Sequence, residues 1–188
     1  GNAQNNGDWL TPHNNYLWNA GTENNPVKTK YDPCPSGWRV PTSSELFALK
    51  ANRSEWTEHD GHYGYWFSGG NVYSAAVNQI FLPAMGYKFS TAYIKYKNTV
   101  GYYWSSEPTN RAGSVFNKPG ASELMFGRSS IEEHTSVRDH GNSIRCVQDD
   151  SALIPVENIT FNIASMTLSV GVSETLLCVC YPSRVDFH

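Results

Sequence analysis

Apolar residues in this chain come in short bursts cut by Gly, Pro and Asn, a rhythm of strands and turns. Residues 65–68, 79–83, 93–96, 101–105, 122–126 and 143–147 read as strands on this pattern. One segment has a helical period. Thr42-Ser43-Ser44-Glu45 has the spacing of a capping box, Leu46 and Leu49 then share a face, and Phe47 lies beside them, so a short helix is expected over about 43–51. Residues 1–30 read as loop with at most one strand around Tyr16-Leu17-Trp18, and Asn52 to Gly64 as polar loop. The stretches 107–121 and 127–142 carry no clear period and read as long irregular loops, which in a compact domain are usually functional.

The rhythm changes after Gln148-Asp149-Asp150-Ser151. Residues 156–161 and 166–170 alternate apolar and polar with period two, and 175–181 reads as a third strand. The chain is therefore expected to hold one domain over 1–150 and a short all-β segment over 151–188, too small to bury a stable core alone. In the last strand Leu176, Cys178 and Cys180 fall on one face and Leu177, Val179 and Tyr181 on the other. Both faces are apolar, so strand exchange between two tails is an expected way to cover them, giving a homodimer through 151–188.

Composition narrows the function classes. With 188 residues, 13% of them aromatic, a core rich in rings can be built. Trp38, Trp66 and Trp104 are hydrophobic enough to be expected there. Charged residues are 16%, the net charge is −3 and no Lys/Arg run occurs, so the footprint of a nucleic-acid binder is missing. No apolar run is long enough for a membrane-spanning helix. The polar, Asn- and Tyr-rich composition suits an exported protein, and a start at Gly1 fits a processed one.

Four cysteines are present, without zinc spacing. Cys34 and Cys146 lie 112 residues apart, near the ends of the first domain. Bonded, they would clamp those ends and contribute about 4–5 kcal/mol; unbonded, they would be two buried thiols. Cys178 and Cys180 share a strand face, a poor spacing for a redox pair. Glu58, His59, Asp60 and His62 are of metal-ligand type but fall on a Gly-containing loop, where a solvated polar role is the plainer reading; no metal site is assigned.

Four motifs carry a family resemblance: Asp32-Pro33-Cys34-Pro35-Ser36-Gly37-Trp38-Arg39-Val40-Pro41-Thr42, then residues 81–87, Tyr103-Trp104-Ser105-Ser106, and Ser143-Ile144-Arg145-Cys146-Val147. In that order, over roughly 8–150, they resemble the Fibrobacter major paralogous (FISUMP) domain of exported proteins in Bacteroidetes and relatives. The resemblance implies an α+β, C-type-lectin-like fold: a small twisted antiparallel sheet, one or two helices and long irregular loops. It also implies a Cys34–Cys146 disulfide. Residues 154–183 resemble the first strands of a bacterial immunoglobulin-like domain, which in full would need further strands beyond His188.

C-type-lectin-like folds serve several functions, so the fold alone does not choose. Calcium lectins use a Glu-Pro-Asn-like and a Trp-Asn-Asp-like triplet. Here Glu107-Pro108-Thr109-Asn110 is one residue too long and no Trp-Asn-Asp occurs, so no cofactor is expected. The enzyme branch resembles formylglycine-generating enzymes and needs cysteines that the implied disulfide consumes. Recognition of a glycan or a surface protein is the favoured reading, through the region 107–142. Its candidate contacts are Asn110, Arg111, Asn117, Arg128, Glu132, His134, Arg138, Asp139 and His140, which offer hydrogen bonds and charge. A structural module of a surface layer or pilus is the alternative.

Overall fold

The computed structural model describes residues 7–68, 74, 78–89, 93–109, 118–150, 156–161 and 178–182. In chain order the elements are β1 (Trp38–Arg39), α1 (Ser43–Ala48) continued by a 3-10 turn (Leu49–Ala51), β2 (Thr57–His59), β3 (His62–Ser68), β4 (Gln79–Pro83), β5 (Tyr87–Lys88), β6 (Ile94–Lys95), β7 (Val100–Thr109), β8 (Gly120–Gly127), β9 (Ile131–Val137), β10 (Val147–Gln148), β11 (Val156–Phe161) and β12 (Cys178–Pro182). This is a small mixed α+β fold, mostly antiparallel, with one short helix. It divides into two compact units, Gly1–Asp149 and Asp150–His188. Among the described residues no helix is long and apolar enough to cross a membrane.

The Asp32–Thr42 motif is a joint. Asp32, almost fully buried, accepts from the amides of Cys34 (2.7 Å) and Val40 (2.9 Å) and from Lys28 Nζ (2.8 Å). That sets the turn that brings β1 antiparallel to β10, with Trp38 opposite Gln148 and Arg39 opposite Val147. Cys34 is bonded to Cys146 beside this pairing. Arg39 is buried. Its guanidinium forks onto Glu45 (2.7 and 2.6 Å) and lies 3.9 Å from Asp149, joining the helix start to the end of the unit. Because successive strand residues face opposite ways, burying Arg39 turns Trp38 outward. Trp38 is 45% exposed, which corrects the expectation that it fills the core.

The helix forms as its caps dictate. Thr42 Oγ1 accepts from the Glu45 amide, and the Glu45 carboxylate accepts from the Thr42 amide (2.9 Å). Leu46 is fully inside, with Phe47 and Leu49 packed against the core from its edge.

Two three-stranded antiparallel sheets follow, in the orders β2-β3-β4 and β7-β8-β9, beside the two-stranded antiparallel pair β5-β6. Leu46, Tyr65, Phe67, Leu82, Tyr103, Leu124 and Phe126 close the core between them. Phe126 meets the rings of Tyr65, Phe67 and Tyr103 at 5.7–6.0 Å. Its ring lies over Gly101, its cross-strand partner, where a Cβ would come within 2.2 Å. Trp104 is buried, as expected; Trp66 is half-buried against His59 and Phe81.

Three loop expectations are corrected. Residues 52–64 hold the β2–β3 hairpin, turned by Asp60 and Gly61 with φ of 49° and 76°. The stretch 127–142 holds β9, whose Glu132, Glu133 and His134 are exposed, so an edge strand polar on both faces showed no alternation. β7 continues to Thr109 through a register shift after Trp104. Conversely, 143–147 is mostly extended chain held along β7: Trp104 N donates to Ser143 O (2.9 Å), and only Val147 is in a strand.

In the second unit β11 pairs antiparallel with β12, Ile159 opposite Cys180 and Phe161 opposite Cys178. The expected strand at 166–170 and the residues from 175 to 177 lie outside the described residues.

Candidate functional site

The face of the β7–β8–β9 sheet turned away from the core is built around a buried carboxylate. Register puts Trp104 opposite Glu123, and Glu123 opposite His134, so the three side chains share that face. The Glu123 side chain has no exposed surface. His134 Nδ1 donates to its Oε1 (2.7 Å), Ser136 Oγ donates to the same oxygen (2.6 Å), and Asn142 Nδ2 donates to Oε2. Each carboxylate oxygen is thereby satisfied, which a buried charge requires. The hydrogen bond it donates to Glu123 holds the His134 pKa above the ordinary imidazole value, against a smaller opposing effect of burial. The rest of the His134 side chain reaches solvent, 45% exposed.

Beside this network stands an aromatic cluster. His140 stacks on Tyr87 at 4.6 Å, Tyr87 meets Tyr102 edge-on at 5.1 Å and Tyr96 at 6.0 Å, and Phe89 lies 5.6 Å from His140. Lys95 Nζ sits 4.2 Å from the centre of the Phe89 ring, a cation–π contact. Backbone bonds fix the cluster: Lys88 and Gly141 exchange two of 2.8 Å, and Gly86, at φ 72°, passes so close to Lys95 O that no side chain fits. Tyr93, Ile94 and Tyr96, on and around β6, are more than half exposed. Burial, with the Glu123 charge second, pushes the Tyr102 phenol up to about 12. Burial also raises Tyr87 and lowers His140. Tyr102 is thus a neutral phenol at neutral pH, able both to donate and to accept.

At the other end of the same face the segment after Gly7 closes a small cleft. Trp9, Leu17, Trp18, Trp104, Ser106 and Pro108 line it, around a cavity of about 90 Å³. That is well below the volume of a typical small-molecule pocket. Arg138 is its clamp: Nε donates to Gly120 O (2.9 Å), Nη1 to Asp8 Oδ2 (3.2 Å) and Nη2 to Asn15 Oδ1 (2.6 Å).

Of the expected contact residues, Asn110, Arg111 and Asn117 lie outside the described residues. His134 and His140 come together around Glu123 and Tyr87. Arg138 is spent inside the protein, and Asp139 N donates to Gly7 O (3.1 Å) in the same clamp. Glu132 is exposed on β9. Arg128 is apart from these, in the β8–β9 turn, where it flanks two surface grooves. Glu107 holds Asn19 (3.4 Å), and burial, then the nearby Glu23, raise its pKa. His59 packs against Trp66 and Phe81 while His62 meets Asn98 (3.3 Å), so the two histidines are engaged separately. Among the described residues no three His, Cys, Asp or Glu side chains are placed to hold a metal ion.

Sequence reasoning missed Glu123, Asn142 and the tyrosines. The signal for Glu123 was present: one carboxylate next to the apolar run Leu124-Met125-Phe126 within the expected strand 122–126. No protein-family model, curated protein or solved structure matches this chain.

Proposed function

We propose that this chain is an exported, non-enzymatic recognition protein that binds a glycan, or a protein surface, through the face carrying Tyr87, Tyr96, Tyr102 and His140. The observation that carries this reading is the exposure of Tyr93, Ile94 and Tyr96 next to that half-buried ring cluster. Large rings left in water together mark interaction surfaces. Rings stack on sugar faces, and the phenols of Tyr87 and Tyr102 add hydrogen bonds at their rims. The Glu123 network supports the surface from below by anchoring Asn142 beside it.

The Cys34–Cys146 disulfide favours an oxidising compartment, hence the cell surface or beyond. It also leaves the first unit without a free cysteine, which weighs against a formylglycine-generating type of enzyme. The C-type-lectin-like, FISUMP-like assignment of the first unit is supported by its four motifs in order and by the closure of its two ends through β1, β10 and the disulfide. The immunoglobulin-like assignment of the tail is supported by the antiparallel β11–β12 pair. An assembly module of a surface layer or pilus, connected through the tail, is the reading to which a failed binding test returns.

The test is a glycan array probed with the full chain, with and without calcium, beside Tyr96→Ala. Binding that survives calcium removal and falls at least about tenfold in the variant supports recognition. No binding, together with concentration-dependent assembly, favours the structural role.

A further inference from the structure

From within the core Tyr65 touches the guanidinium of one surface arginine, Arg53, and the backbone of another, Arg128. Its hydroxyl donates to the carbonyls of Gly127 (3.1 Å) and Arg128 (2.9 Å), fixing the β8–β9 turn from which the Arg128 side chain projects. Its ring lies 5.6 Å from the Arg53 guanidinium carbon, and the Arg53 backbone is bridged to Phe67 on β3. Both arginines are exposed. Together with Ser54 and Glu55 they line one groove, of about 270 Å³. Arg128 also lines the adjoining one, of about 390 Å³, with Trp56, Tyr63, Asn98 and Thr99. Among the described residues neither guanidinium is in an ion pair with an acidic side chain. Arg53 spends one nitrogen on a long bond to Lys50 O (3.4 Å).

Two arginines line one groove, one guanidinium resting on the Tyr65 ring and the other projecting from the turn that Tyr65 holds. Neither is ion-paired among the described residues, and although Glu55 shares the lining, its charge is outnumbered and an anion is favoured. What lies beside them limits the anion. Trp56 and Tyr63 stack with their planes 3° apart, and Tyr63 is 43% exposed, so a flat apolar ring face borders the charges. Asn98 adds the NH2 of its amide, whose oxygen meets His62, and Thr99 adds a hydroxyl that donates to Tyr96 O and keeps its lone pairs as acceptors. A bare phosphate would use the arginines and leave the ring face empty. A pyranose bearing a carboxylate uses both, with its C–H face on the ring and its hydroxyls toward the amide and hydroxyl.

We propose that the groove on either side of Arg128 is a second binding site, for an acidic sugar: Arg53 and Arg128 take the carboxylate and the Trp56–Tyr63 face takes the pyranose ring. The choice of a sugar rests on the recognition reading, but the site shares no residue with the Tyr87–Tyr102 surface, so a failure of one is distinguishable from a failure of the other. The test is an amide-shift titration of the labelled full chain with methyl glucuronide and methyl sialoside, their neutral methyl esters, inorganic phosphate, and a short acidic peptide. The expected result is saturable shifts around Tyr63, Asn98 and Arg128 with at least one free acid, and at least about tenfold weaker binding of its ester. Arg53→Gln and Arg128→Gln, both at exposed positions that leave the core intact, should each weaken the acid by about tenfold, while Tyr96→Ala should not affect it. The proposal is overturned if neither acid shifts these amides at millimolar concentration, if ester and acid bind alike, if the arginine variants bind as the wild type does, or if phosphate or the peptide binds more tightly than either sugar acid.

Discussion

Replacing Glu123 by Gln keeps the volume of the side chain and removes the charge at the centre of the outer face. Three groups donate to this carboxylate: His134 Nδ1, Ser136 Oγ and Asn142 Nδ2. Glutamine can turn its oxygen to Asn142 Nδ2, but its NH2 then faces His134 Nδ1 and Ser136 Oγ, which must stop donating and accept instead, His134 as the neutral ring. Hydrogen bonds to a charged group contribute about 1.5–3 kcal/mol and neutral ones about 0.5–1.5 kcal/mol, so the exchange costs about 1–2 kcal/mol. Losing the charge on the half-exposed His134 pair adds only about 0–1 kcal/mol, because solvent screens it. The expected loss is therefore about 2 kcal/mol, read as a lower urea midpoint at constant slope. The pH dependence gives a second, independent readout. The His134 pKa is raised in the folded protein, so its contribution is fully present below the unfolded value of 6.5 and is lost as pH rises through the folded value. His140, lowered by burial, acts the other way: its contribution is lost as pH falls. The diagnostic quantity is thus the gap between wild type and variant, which should narrow as pH rises above 6.5 and through the raised folded value. A variant less than about 1 kcal/mol below wild type, or a gap that does not change with pH, would refute the assignment of Glu123 as the anchor.

Gly101→Ala should cost about 1–3 kcal/mol, seen as a lower Tm, because the new methyl meets the Phe126 ring at 2.2 Å. Reducing the Cys34–Cys146 bond, or replacing both cysteines by Ala, should lower stability in urea by about 4–5 kcal/mol, given the 112-residue loop it closes. Arg39→Ala strips Glu45 of its bidentate partner. The Glu45 pKa, held down chiefly by that hydrogen bond, contributes stability above its ordinary value of 4.5 that is lost as pH falls, so the variant should show a weaker acid-side fall in urea stability than wild type. Trp38→Ala should change stability by less than about 1 kcal/mol, checked in the same urea series, because the ring is nearly half exposed.

Local signals made the frame legible. The Thr42–Glu45 box announced the helix because both of its hydrogen bonds lie within four residues. β4 and β8 were legible because their apolar runs are bounded by turn residues and end up half or fully buried. β9 was not, since an edge strand can be polar on both faces once its neighbour carries the core. Trp38 misled for a different reason: residue type favours burial, but a buried Arg39 with a carboxylate waiting for it decides which face turns inward. The site was least legible. Tyr87, Tyr96, Tyr102 and His140 are brought together from three separate segments by bonds such as those between Lys88 and Gly141, and no spacing in the chain encodes that meeting. Arg138 had the right chemistry for a ligand, yet Asp8 and Asn15, more than a hundred positions away, occupy it.

The most direct measurement is binding of the full chain to a glycan array in the presence of a calcium chelator, repeated with Tyr96→Ala. Tyr96 is more than half exposed, so the variant keeps the fold and changes only the surface. Binding of a defined set of glycans by the wild type, reduced at least about tenfold in the variant, is the expected result. An array on which the wild type binds nothing, or on which both proteins bind the same glycans equally, would contradict recognition through this face.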